Sequence, residues 1–122
     1  SISKTKSPVA RLPFERIKDD ILGTQYVVSL VFVGEKRARA LNMTYRKKSY
    51  VPNVLAFPVE KNCGEIFICT KTLAKEAPSF DMSVKAYTGY LLIHALLHLK
   101  GHDHGATMER KETLYLKKYG LA

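Results

Sequence analysis

Residues 80–101 read FDMSVKAYTGYLLIHALLHLKG, an apolar segment too long for a strand, with Asp81 or Ser83 available as an N-cap and Gly101 as a stop. The pattern predicts about five turns of helix. All four histidines of the chain lie here or just beyond, at 94, 98, 102 and 104. On a helix, residues four apart are about 40° apart around the axis, so His94 and His98 point the same way with Cβ atoms roughly 5–6 Å apart. Two imidazoles so placed can grip one metal ion.

Gly101 lets the chain reverse. That reversal could bring His104 back as a third nitrogen ligand and leave one position open for water or substrate, the mark of a catalytic metal. His102, four residues after His98, competes for the same place, and as a fourth ligand it would close the sphere around a structural metal. Imidazole nitrogen suits zinc first, through its preference for tetrahedral sites, and also nickel, copper or iron. A zinc peptidase of the HExxH type needs a glutamate after the first histidine. Position 95 is alanine, which disfavours that chemistry.

On either side of this segment the pattern alternates between strand and helix. LPFERIKDDILG (12–23) sets Phe14, Ile17, Ile21 and Leu22 at helical spacing before a glycine, and QYVVSLVFV (25–33) reads as a central strand buried on both faces. GEKRARALNMTYRKK (34–48) predicts a helix whose apolar side is Ala38, Leu41 and Tyr45 and whose remaining surface is densely basic. A short strand at 53–57 is bracketed by Pro52 and Pro58. CGEIFICT (63–70) is a further strand, after which Thr70 or Thr72 caps a short helix that Pro78 stops. TMERKETLYLKKYG (107–120) predicts a last amphipathic helix with Met108, Leu114 and Leu116 inward, and the opening SISKTKSP reads as an edge strand or a frayed end. The expectation is one α+β domain over 1–122, a small mixed sheet packed with helices and without a regular βαβ wind.

Twenty Lys and Arg against eleven Asp and Glu leave a net +9 on 122 residues. Such a field concentrates polyanions, which makes nucleic acid the partner to test, although the same surplus also serves solubility. No apolar run reaches the ~20 residues of a membrane span, and no basic stretch followed by an apolar run opens the chain. A cytoplasmic protein without membrane association is expected. Cys63 and Cys69, six apart and without a CxxC pattern, read as free thiols.

HALLHLKGHDH (94–104) resembles the HGxLHLxGYDH signature of the YbeY family of metal-dependent endoribonucleases. LNMTYRKKSYVPNVLAFP (41–58) is similar to that family's LNxxYRxxxxPTDVLSFP, and GEIFIC (64–69) to its GDIxI strand. The resemblance implies an α+β fold with a zincin-like site, a zinc ion held by His94, His98 and His104, and Arg46 as a functional residue of the same cleft. It implies work in ribosomal RNA maturation at the 3′ end of the small-subunit RNA, and in ribosome quality control. Ala95 stands for the family's Gly, His102 for its Tyr, Pro52 and Asn53 for its Thr-Asp pair, and Ala56 for its Ser.

The expected reaction is metal-dependent cleavage of single-stranded RNA, with Arg46 and His94 as catalytic residues. A bound cation lowers the pKa of its water towards about 7, and the guanidinium of Arg46 matches phosphate oxygens as a fork. Arg46, Lys47 and Lys48, between Tyr45 and Tyr50, suit RNA binding through backbone contact and base stacking. His102 and Asp103 are read as groups that could orient a ligand ring, with Asp103 and Glu65 the carboxylates on offer for proton transfer. The competing reading is a ribosome-associated RNA-binding module with a structural metal.

Overall fold

The computed structural model describes residues 12–121, together with the backbone of 2–4. Strand β1 (Ile2–Lys4) is followed by α1 (Phe14–Leu22), β2 (Val27–Val33), α2 (Glu35–Arg46), β3 (Val54–Glu60) and β4 (Cys63–Cys69). The chain continues through α3 (Thr70–Glu76), a 3₁₀ turn (Ala77–Phe80), α4 (Val84–Lys100) and α5 (Ala106–Lys118). The opening segment therefore forms an edge strand, as one of its two readings had it. The four strands lie in the order β1-β2-β4-β3.

Pairing is parallel between β1 and β2 and between β2 and β4, and antiparallel only between β3 and β4. The sheet is mixed, as expected: α1 crosses between the parallel neighbours β1 and β2, whereas α2 leads into β3, which runs antiparallel to β4, so no regular βαβ wind forms.

Side chains alternate across the sheet. Val28, Leu30, Ile66 and Ile68 join the larger core with α1, α4 and α5, while Val33, Phe67, Cys69 and Leu55 pack against Ala38 of α2. β4 thus faces core on both sides. β3 is an edge strand, which is why it tolerates Pro58, and it runs past that proline to Glu60 through a register shift.

Helix α4 is the hub. Ser83 caps it, its hydroxyl accepting from the Ala86 amide at 3.0 Å, and Gly101 in the left-handed region ends it. It packs on β3, α1 and α5 and buries nine residues, from Tyr87 to Leu97. Gly89 marks a close approach, since a Cβ there would meet Leu121 Cδ1 at 2.4 Å and Leu12 Cδ2 at 3.4 Å and displace the first of them.

Other expectations are corrected in detail. Helix α2 stops at Arg46, because Lys47 takes the left-handed conformation and begins a loop. Asn42, buried, donates to the Tyr50 carbonyl at 3.0 Å and so braces that loop. Cys69, rather than Thr70 or Thr72, holds the N-cap position of α3. Leu114 is 63% exposed, since Met108 and Glu112 set the inward face of α5 and Leu114 falls off it. Lys18 lies buried on α1, its ammonium donating to the carbonyls of Tyr26 (2.8 Å) and Gly23 (3.2 Å).

Two consequences can be measured. Gly89→Val should lower stability by about 1–3 kcal/mol in chemical denaturation, because the added methyls displace Leu121 and Leu12. Asp20 of α1 accepts from Lys118 at 2.5 Å and from the Tyr119 hydroxyl at 2.6 Å, and these bonds, Lys118 first, hold its carboxyl below the ordinary range. A lowered native pKa stabilises above the unfolded value and loses that contribution as pH falls through the native one. Asp20→Asn should therefore cost about 0.5–1 kcal/mol at neutral pH and nothing in strong acid.

Candidate metal centre

A cleft of about 460 Å³ lies between the edge strand β3 and the C-terminal half of α4. Val54, Ala56 and Pro58 form one wall; His94, Ala95, His98 and Leu99 form the other. Arg46 and Asn53 line it as well, and His104 enters from the turn after Gly101.

The turn has a local cause. Gly101 (φ 110°) donates to the His98 carbonyl at 3.0 Å and the His102 amide donates to that of Leu97 at 3.0 Å, which closes the helix and reverses the chain. His104 then folds back over the helix. Ring centroids are 4.7 Å apart for His94 and His98, 5.1 Å for His94 and His104, and 4.9 Å for His98 and His104. One nitrogen from each lies within 4.8 Å of the other two, so the three rings could hold a metal ion among them.

The electrostatics suit that use. Burial, then the charges of His94 and His104, hold the His98 imidazole below its ordinary pKa, against the His102 backbone and the charge of Asp103. A ring kept neutral is one whose nitrogen lone pair is free for a metal. His94 Nδ1 lies 2.5 Å from Oε2 of Glu112 on α5, a carboxylate only 6% exposed as a residue. A carboxylate only accepts, so the proton sits on Nδ1 and the lone pair on Nε2.

Glu112 was missed in the sequence. A signal was present: Met108 and Glu112 are four apart, so an inward Met108 puts a carboxylate on the buried face, where it needs a partner. Asn53 was noted only as a departure from the family pattern. Its amide donates to Glu76 Oε1 at 3.0 Å and to the Tyr87 hydroxyl at 3.5 Å, and Tyr87 donates to the same carboxylate oxygen at 2.7 Å.

The remaining candidates are placed as follows. Arg46, the last residue of α2, reaches the cleft, whereas Lys47 and Lys48 stand exposed in the following loop and do not line it. Tyr45 lies against Phe57 at 4.8 Å and is 64% exposed. His102 is half-buried at the helix cap, outside the three-ring cluster, and Asp103 is exposed in the turn. Glu65 shares its face of β4 with Phe67, on the α2 side of the sheet and away from the cleft. It is thereby removed as a proton-transfer group.

Comparison with known proteins covers this region. The family model described as Endoribonuclease YbeY matches residues 5–120. Among curated proteins, the Endoribonuclease YbeY of Finegoldia magna is 34% identical over 119 residues, covering 88% of this chain and 75% of the relative. That of Polynucleobacter asymbioticus is 31% identical over 136 residues, covering 97% and 88%. The solution structure of TM1509 from Thermotoga maritima superposes with a TM-score of 0.71 at 25% identity, over 98% of this chain and 89% of that one. A match running through β3, α4 and the histidine turn, in order and over nearly the whole length, leaves one assignment: the chain belongs to the YbeY family of endoribonucleases.

Proposed function

We propose that this protein is a single-strand-specific, metal-dependent endoribonuclease, folded as one domain over 1–122, that matures the 3′ end of small-subunit ribosomal RNA in the cytoplasm and serves ribosome quality control. The observation that carries the reading is one cleft lined by three convergent imidazoles and the Arg46 guanidinium. The family relationship names the reaction class, and the +9 charge fits a polyanionic substrate. No helix among the described residues is long and apolar enough to cross a membrane.

His94, His98 and His104 would hold the metal, with zinc the ion that an all-imidazole set suits best. When bound, such an ion polarises a phosphoryl oxygen and acidifies a coordinated water. Everything else falls to the chain. Arg46 offers a planar fork to the scissile phosphate and offsets the charge that grows there during displacement. Glu112 keeps His94 in one tautomer, its Nε2 turned from the carboxylate towards the site. Val54, Ala56 and Leu99 present apolar walls, which strengthen each charge interaction by excluding water. Lys47, Lys48 and the exposed rings of Tyr45 and Tyr50 extend a basic, aromatic surface suited to single-stranded RNA.

Two experiments test this. Zinc-loaded protein should cleave a labelled small-subunit 3′ fragment, His98→Ala purified in parallel should not, and Arg46→Ala should lose about 10²–10³-fold in kcat. Equal cleavage by parent and His98→Ala would sink the proposal in favour of RNA binding alone. Glu112→Gln should keep the fold by circular dichroism yet weaken zinc affinity about tenfold in chelator competition, and unchanged affinity would remove Glu112 from the site.

A further inference from the structure

The proposed reaction requires a test of sugar as well as of phosphate, because RNA and DNA present the same phosphates to Arg46 and to a metal. What separates them is the ribose 2′-hydroxyl, a hydrogen-bond donor that DNA lacks. A cleft that reads it by donation needs an acceptor in its wall. Among the described lining side chains Arg46 only donates, the histidines form the ligand set, and all but one of the others are apolar. The exception is Asn53.

We propose that Asn53 is a specificity residue whose side-chain carbonyl accepts a hydrogen bond from the ribose 2′-hydroxyl, with Glu76 and Tyr87 as its positioning residues. This rests on the endoribonuclease reading above and deepens it. The orientation of the amide follows from its partners. Nδ2 points at Glu76 Oε1 (3.0 Å) and the Tyr87 hydroxyl (3.5 Å), neither of which lines the cleft. A carboxylate accepts and never donates, so the amide cannot be reversed without losing that bond. Oδ1 takes no part in these bonds and is the free polar atom on a residue that lines the cleft. Tyr87, 2% exposed, fixes Glu76 in turn by donating to the same oxygen at 2.7 Å.

The backbone is held as firmly. The Asn53 carbonyl accepts from the Cys69 amide at 2.9 Å where β3 begins. An amide supplies an acceptor without the negative charge of a carboxylate, which would repel phosphate.

The test is binding, read by stopped-flow fluorescence on metal-loaded protein before cleavage accumulates. Single-stranded octamers of one base sequence carry 2′-hydroxyl, 2′-deoxy or 2′-fluoro sugars, the last keeping a ribose-like pucker without a proton. The parent should favour the 2′-hydroxyl octamer over both others by about two- to tenfold, the range of one neutral hydrogen bond. Asn53→Ala should erase the preference. Glu76→Leu should reduce it too, while Glu76→Gln, whose amide oxygen still accepts from Asn53, should retain it.

Equal binding of all three octamers by the parent overturns the proposal. So does an Asn53→Ala loss that is the same for every sugar, which would assign the contact to a base or a phosphate. Indistinguishable Glu76→Leu and Glu76→Gln variants would overturn the positioning role. The ratio stands whether or not the parent cleaves, so absent cleavage defeats the endoribonuclease reading alone.

Discussion

Helix α4 is apolar nearly all the way round, and most of the architecture follows from the need to cover it. Such a helix is stable in water only when surrounded. The sheet takes one side, and α1 and α5 pack against others. The sector that remains faces the edge strand β3, and there the sequence substitutes histidine at 94 and 98. The site thus lies in a gap in the cover of a buried helix. That position gives it walls on two sides and partners from three further elements: Arg46 from α2, His104 from the turn and Glu112 from α5.

Periodicity and punctuation made the elements readable. Gly23, Gly101 and Ser83 act within one helical turn, and the apolar runs at 27–33 and 63–69 are long enough to be recognised as strands. The spacing of His94 and His98 is a property of one helix and can be seen without a fold. The return of His104 depends on a single glycine, and the sequence left His102 as its rival. The backbone separates them: His102 spends its amide closing the helix, and its ring lies outside the cluster.

What could not be read depends on contacts between distant residues. His94 and Glu112 are eighteen apart, and Asn53 and Glu76 twenty-three. Neither pair has a periodicity that links it, and each meets only because separate elements dock on α4 or beside it. Strand order is of the same kind, since a parallel β2–β4 pair with β3 outside it is decided by the coverage of both sheet faces. The buried Lys18 is a further case: besides its neighbour Asp19, its ammonium is held by two backbone carbonyls, which carry no signature in the sequence.

The dependence of His94 on Glu112 also sets an order of events during synthesis. A polypeptide leaves the ribosome from its N-terminus onward, so the sheet, α4 and all four histidines emerge before α5 does. Until residue 112 has been made and α5 has settled into the notch that Gly89 leaves for Leu121, His94 lacks the carboxylate that fixes its tautomer. A growing chain can therefore carry all four histidines before the carboxylate partner of His94 is in place.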